Sequence, residues 1–270
     1  LNLLHEASLD SKDKVRVARL LCALYQAYRA HDCKLVEVNP LVLTDNGPVA
    51  VDARVDIDGD ALERQSALNL DAAEEAGRRS PTHLEEIAGT IDARDHRGTV
   101  HFVQIDPDLS YVRENGLVPF GFDCVGAGAS LTMMDELVPL GFYPVNFCDT
   151  SGNPVASKLY RVTKLIFSQP GIEGYVFVSC VSSQQLDNTA RGIIKALTEL
   201  YPESNGQPNI PTVFAVRGAC DEKAEELLAE HGISAGRWVR VFGRDTTERD
   251  VAQAFHALHT RWAAEQRRET

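Results

Sequence analysis

Between residues 12 and 30, apolar side chains recur at helical spacing: Val15, Ala18, Leu21, Leu24, Tyr25 and Tyr28 fall on one stripe, which predicts an amphipathic helix. The period then shortens to two. Residues 33–55, CKLVEVNPLVLTDNGPVAVDARV, form two apolar β-rich runs around Asp45-Asn46-Gly47, a hairpin signal. Pro40 lacks an N–H for a sheet ladder, so it belongs at an edge or a bulge. From about 58 to 98 the chain is charged, poor in large apolar residues and broken by Pro81, and reads as a connector with one or two short helices. From about 100 the rhythm is strand, turn, helix. Strands are predicted at 101–105, 120–125, 143–148, 174–180, 212–217 and 238–242, and helices at about 129–139, 154–168, 186–201, 221–231 and 246–263. GYVFVSCV and PTVFAVRG are nearly continuous apolar runs, as in strands covered on both faces. The alternation predicts an α/β domain with a doubly wound parallel sheet. The expected division is 1–65, a connector at 66–99, and 100–270.

Composition changes this picture little. The 270 residues are 44% hydrophobic and 24% charged, an ordinary globular balance. A net charge of −12, with only the sparse Arg237, Arg240 and Arg244 as a basic group, argues against a nucleic-acid or anionic-membrane surface. No apolar run approaches the roughly 18 residues of a membrane helix, and no stretch reads as a signal peptide. Cys22, Cys33, Cys124, Cys148, Cys180 and Cys220 are scattered without a CxxC pair, which reads as reduced thiols in a cytosol-like compartment.

Ligands of doubly wound sheets bind beyond the carboxyl ends of the strands, which directs attention to the loops at 126–130, 149–154, 181–186 and 217–221. Gly126-Ala127-Gly128 lies between a strand and a helix, where free backbone N–H groups can face an anion or simply allow close packing. In the hairpin, Glu37 and Asn39 share a strand face and Asp52 can come opposite them. Such oxygen donors suit Mg²⁺, although a hairpin edge with solvated polar residues has the same pattern.

Residues 37–65, EVNPLVLTDNGPVAVDARVDIDGDALERQ, resemble the closing segment of an ATP-grasp domain in the β subunit of succinyl-CoA synthetase. That family reads Glu-Ile-Asn-Pro-Leu-Val, a turn, then Asp, a basic residue and Asp-x-Asn-Ala. The stretch CVGAGASLTMMDELVPLGFYPVNFCDTSG is similar to the ligase domain of the same subunits, with Asn146, Phe147 and Asp149 matching Asn-Phe-x-Asp. The similarity continues in order and spacing to the end of the chain. It implies a flavodoxin-like CoA-ligase domain after the ATP-grasp segment, and an acid–CoA ligase that forms ADP or GDP. It further implies ATP or GTP, CoA as co-substrate, and Mg²⁺ held by Asn39 and Asp52, with Glu37 near the phosphate-transfer site. The implied partner is an α subunit carrying a phosphohistidine and most of the CoA site, in the cytoplasm or the mitochondrial matrix. No histidine here has the Gly-His-Ala context of that phosphohistidine. The first half of the ATP-grasp domain, with its purine pocket, is not in this sequence, so the expectation is a fragment or half of a split subunit, inactive alone.

Departures from the family pattern shift the expected substrate. Succinyl-specific subunits place Asn before Gly-Ala-Gly, where this chain has Val125. Their Gly-Gly-Gly turn is replaced by Thr150-Ser151-Gly152-Asn153-Pro154. Their Gly-Gly-Ile-Val-Arg loop, at the helix facing the phosphohistidine, becomes Val181-Ser182-Ser183-Gln184-Gln185, so Ser182, Ser183 and Gln184 are the candidate donors there. Gly128-Ala129-Ser130 and the Ser-Gly-x-Pro turn resemble the citrate-activating branch, ATP-citrate lyase and citryl-CoA synthetase. That branch implies Arg217 as the residue holding a di- or tricarboxylate, with Gly128, Ser130, Ser151 and Gly152 beside it; the alternative is an arginine that fixes loop carbonyls. Two further readings are a degenerate binding or assembly module and a flavodoxin-like domain for another anionic ligand. DEKAEELL at 221–228 reads as a solvated helix face with Asp221 as N-cap.

Overall fold

A computed structural model of the chain describes residues 4, 9–69 and 79–269, so residues 70–78 of the expected connector lie outside the described residues. The chain divides into two compact units, Leu1–Arg79 and Ser80–Thr270. In the first, α1 (Ser11–Ala30) starts at Asp10, whose carboxylate accepts the Asp13 N–H. A long antiparallel ribbon follows: β1 (Cys33–Val38) pairs with β4 (Ala53–Ile57), and β2 (Leu41–Thr44) with β3 (Gly47–Ala50). Thr44 pairs with Gly47, so Asp45 and Asn46 form the turn. Pro40 stands in the break between β1 and β2, where its carbonyl still accepts from Val51 N. Beyond β4, Arg64 and Gln65 both donate to the Asp32 carboxylate and tie residues 58–69 back to the end of α1. The Arg64 hydrogen bond is the main reason the Asp32 carboxyl is held below its ordinary range.

The second unit is a seven-stranded, mostly parallel sheet. Its strands are β5 (His101–Gln104), β6 (Val118–Val125), β7 (Phe142–Pro144), β8 (Asn146–Asp149), β9 (Tyr175–Ser179), β10 (Thr212–Ala215) and β11 (Val239–Phe242). The order is β11-β10-β9-β6-β8-β5, with β7 continuing the β8 side of β6. Counting β7 and β8 as one broken strand, the parallel part follows the flavodoxin-like order 2-1-3-4-5. Seven helices flank it: α2 (His83–Ala93), α3 (Ser110–Asn115), α4 (Ala127–Leu137), α5 (Ala156–Phe167), α6 (Leu186–Leu200), α7 (Asp221–Glu230) and α8 (Glu248–Glu269). In β9, Tyr175 and Phe177 enter a core with residues of α2, α5, α6 and α7, while Val176 and Val178 enter the one with residues of α4 and α8. Both faces are thus covered, and the unbroken apolar run follows from that.

Three features depart from the sequence reading. β5 runs antiparallel to β8 at the sheet edge, so the sheet is not wholly parallel. The strand expected at 143–148 is broken at Val145. Pro144 cannot donate to the ladder there. The buried Asn146 carboxamide instead donates to Phe122 O and accepts from Phe122 N, doing with its side chain what a backbone pair does elsewhere. Last, α2 packs onto the second unit, with Ala88 and Ile91 in its core.

Candidate functional site

In the first unit, Asn39 N donates to Asp52 O at 3.2 Å, extending the β1–β4 ladder by one pair. The Asn39 carboxamide donates to Glu37 Oε1 at 3.2 Å, so the three residues singled out from the sequence do come together. All three are exposed. Asp52 Oδ1 accepts Ala53 N, which leaves Asp52 Oδ2 and Asn39 Oδ1 without a hydrogen bond among the described residues. Two neutral-to-anionic oxygens on neighbouring strands fit a hard cation that draws its other ligands from water and phosphate.

In the second unit, the sheet order reverses between β6 and β9, and the loops after these strands flank that switch point. Gly126, at φ +96°, turns the chain from β6 into α4, and a Cβ there would stand 3.2 Å from Val181 of the loop after β9. Neither α4 nor α6 has a side-chain cap on its first-turn amides. Two helix N-termini, each with a partial positive charge, thus lie beyond the carboxyl ends of adjacent strands; that of α6 already has Leu186 N on Ala219 O and Asp187 in its first turn.

Cross-links hold the loops in place. Asn153, left-handed at φ +57°, donates its N–H to Gln184 Oε1, its carboxamide donates to Gln185 Oε1, and its Oδ1 accepts Gln185 N at 3.1 Å. Leu186 N donates to Ala219 O, and Val181 bridges Gly218, linking the loop after β9 to the one after β10. Asn153→Ala removes the side-chain clamp from a backbone conformation that alanine disfavours. Amide exchange in 150–154 and 182–186 is expected to quicken by roughly tenfold or more, from a local loss of about 1–3 kcal/mol. Exchange in α8 should be unchanged.

The residues expected to bind or react are placed differently from one another. Ser182 and Ser183 are exposed at the approach to α6. Gln184 is buried, with its carboxamide spent on Asn153 N and Thr189 Oγ1. Gly128 is exposed in the first turn of α4, whereas Ser130 is fully buried with its hydroxyl on the Cys124 thiol. Ser151 is hydrogen bonded to Asp149 through both its N–H and its hydroxyl, and Gly152, at φ +77°, packs against Gly98. Arg217 is buried: Nε donates to Ser179 O at 3.1 Å, Nη1 to Thr246 O at 3.0 Å, and Nη2 lies 2.8 Å from Glu248 Oε1. Two of these contacts are the loop-fixing alternative weighed for this arginine. Asp221 is not a solvated N-cap. Cys220 takes that position, and the Asp221 carboxylate is buried under Arg244, whose hydrogen bond lowers its pKa.

Four residues that sequence reasoning passed over shape this region. Asp123, fully buried on β6, accepts from Thr150 Oγ1 at 3.0 Å and anchors the start of the 150–154 loop. Gly98 leaves room for Pro154, whose backbone would lie 2.5 Å from a Cβ at that position. Lys158 gathers the Asp92 carboxylate and the carbonyls of Asp95 and Gly98 behind the same loop. Glu248 faces Arg217. Of these, Gly98 has a signal in its Arg-Gly-Thr context at the end of a charged stretch, and Asp123 stands out as an acid within an apolar strand; Lys158 and Glu248 look like ordinary polar positions.

No family model matches the sequence. Among curated relatives, the succinate–CoA ligase [ADP-forming] β subunit of Thioalkalivibrio sulfidiphilus is 31% identical over 228 residues, covering 84% of this chain and 52% of that protein. The succinate–CoA ligase [GDP-forming] β subunit of Thermus thermophilus is 31% identical over 217 residues, covering 79% of this chain and 49% of that protein. The chain therefore spans about half the length of the curated relatives it matches. Among solved structures, ATP citrate lyase from Methanothrix soehngenii, in complex with citrate and coenzyme A, shares the fold with a TM-score of 0.64 at 20% identity, covering 92% of this chain and 60% of that one. The resemblance carried by the Asn-Pro hairpin and the Gly-Ala-Gly loop thus extends along the molecule: over about four-fifths of its length, this chain is similar to the succinate–CoA ligase β subunits.

Proposed function

We propose that this chain is the C-terminal part of a nucleotide-dependent carboxylate–CoA ligase β subunit, acting with an α subunit on a small di- or tricarboxylate. The observation that carries this is the pair of helix N-termini without side-chain caps, of α4 and α6, at the switch point of the sheet. Phosphoryl and acyl transfer depend mainly on positioning and on stabilising negative charge, which fixed backbone dipoles do without reorganising. On this reading residues 1–65 close an ATP-grasp domain and 100–270 are the CoA-ligase domain. Asn39 and Asp52 hold Mg²⁺ beside the phosphates of ATP or GTP, with Glu37 steering the Asn39 carboxamide. Bound there, the cation would offset phosphate charge. Ser182 and Ser183 meet the travelling phosphate at α6. Gly128, Ser151 and Gly152 border the acid, and Arg217 holds one of its carboxylates. The phosphohistidine and most of the CoA site come from the partner, in the cytoplasm or mitochondrial matrix.

The substrate follows the citrate-activating branch if the Ser151-Gly152-Asn153-Pro154 turn governs choice. A second reading, a non-catalytic assembly module, is favoured by Gln184, which is turned inward instead of toward an anion. The deciding experiment supplies CoA, Mg²⁺ and ATP or GTP to the complete β subunit paired with its α subunit, with succinate, malate and citrate tested singly. Acid-dependent thioester formation supports the ligase; a well-folded complex with no turnover on any acid supports the module. The chain alone is expected to bind ATP and GTP more weakly than about 100 µM and to form no thioester. Low-micromolar nucleotide affinity by calorimetry would overturn the reading that this chain carries only part of the nucleotide site.

A further inference from the structure

Arg217 follows β10 and is only 7% exposed. The carbonyls of Ser179 and Thr246 engage two of its nitrogens and fix the plane of the guanidinium. Nη2 differs. It is buried and has no hydrogen bond; its neighbour is Glu248 Oε1, 2.8 Å away but out of line with the N–H bonds. Glu248 opens α8, and its side chain is 21% exposed, so the same carboxylate meets both the buried guanidinium and solvent. The start of α8 is secured without it. Thr247 Oγ1 donates to Asp250 Oδ2, Asp250 N donates to Thr247 Oγ1, and Arg249 pairs with Glu136.

A misaligned, solvent-accessible carboxylate on a buried guanidinium is open to exchange. An incoming carboxylate conserves charge, so the arginine is never left unpaired in a low-dielectric site. It can also make the hydrogen bond to Nη2 that Glu248 does not. We propose that Glu248 is a displaceable internal carboxylate on Arg217, which the carboxylate of the acid substrate replaces on binding. It is a positioning residue that sets acid affinity by competition, and it restricts ligands to those whose carboxylate can take over the Nη2 edge. The inference rests on the reading that Arg217 holds the acid.

The test is calorimetric titration of the full 270-residue chain with citrate, and separately with succinate, in wild type, Glu248→Gln and Arg217→Lys. Removing the competitor should tighten acid binding by roughly tenfold, as expected when the competent state is a minor one. Arg217→Lys should weaken it. A merely structural Glu248 predicts the opposite sign, because its loss would loosen the site. Unchanged or weaker binding by Glu248→Gln, with Arg217→Lys still impaired, overturns the exchange but leaves Arg217 as the acid-binding residue. Unchanged binding by Arg217→Lys, or no binding by any of the three proteins at 10 mM acid or so, overturns both. Should Glu248→Gln fail to fold, Glu248→Asp, which keeps the charge but shortens the reach, should tighten binding by a smaller factor; no gain there overturns the exchange.

Discussion

Replacing Lys158 with methionine is expected to lower the unfolding free energy of the second unit by about 3 kcal/mol. The Lys158 side chain is 1% exposed, and its ammonium sits among the Asp92 carboxylate at 3.0 Å and the carbonyls of Asp95 at 2.6 Å and Gly98 at 2.8 Å. Asp95 and Gly98 lie in the loop after α2, outside any helix or strand that would supply donors to their carbonyls. Methionine fills the same volume but donates nothing. The carbonyls then lose their partner in a site where Lys158 excluded water, and breaking one side of a buried charged pair costs about 3–5 kcal/mol. Because Asp92 is 43% exposed and can rehydrate, the lower end applies. The corresponding fall in Tm is about 6–12 °C for a unit of this size. Asp92→Asn, which keeps the carbonyl contacts, should cost under about 1 kcal/mol. Equal losses from the two variants would mean that the ion pair, not the carbonyl cage, does the holding.

The second large effect is on pH dependence. Burial pushes the Asp123 carboxyl up to about 7, and the hydrogen bonds from Thr150 and Tyr175 only partly offset it. The folded protein therefore holds this proton more tightly than the unfolded chain, whose carboxyl titrates near its ordinary value of 3.8. The linkage sign follows: the Asp123 contribution is most favourable below about pH 4, declines as pH rises, and is fully lost above about 7. In Asp123→Asn the carboxamide is neutral throughout, can still accept from Thr150, and can donate to Tyr175. The stability of the variant minus that of wild type should rise by roughly 4 kcal/mol between pH 4 and 7, and stay level outside that window. Urea unfolding of both proteins across pH 4–8 reads the difference directly. A flat difference would mean that water or a rearranged partner keeps Asp123 ionised. Because Thr150 begins the 150–154 loop, ionisation of Asp123 also bears on that side of the crevice.

Periodicity made the main elements legible because they are decided locally. The stripe from Val15 to Tyr28, the Asp45-Asn46 turn and the apolar run of β9 each carry their own signal. The α2 helix was equally legible but was merged with a charged connector; Thr82 and Glu85 form a reciprocal capping box, a sign that a helix begins there. What stayed hidden depends on contacts distant in sequence. Whether β5 runs with or against β8 is settled by the path of the chain between them, not by the alternation of His101–Gln104. Lys158 sits among other polar positions of α5 and looks solvated until α2 closes over it. Asp123 lies in an apolar strand, where an acid is visible as an exception but its Thr150 and Tyr175 partners are not. The alternation of strands and helices placed the loops on the carboxyl ends of the strands, yet neither it nor the family resemblance could tell that Ser130 and Gln184 turn inward or that Arg217 already faces Glu248.

The central claim is that the switch-point crevice between α4 and α6 receives anionic ligands. The most direct measurement is a backbone amide NMR titration of the isotopically labelled chain with inorganic phosphate and with citrate. The account predicts saturable shifts clustered at residues 126–130, 151–154, 182–187 and 217–219, with the phosphate response strongest at the first turns of α4 and α6. Shifts confined to other surfaces, or none beyond those of an equal ionic strength of sodium chloride, would contradict it.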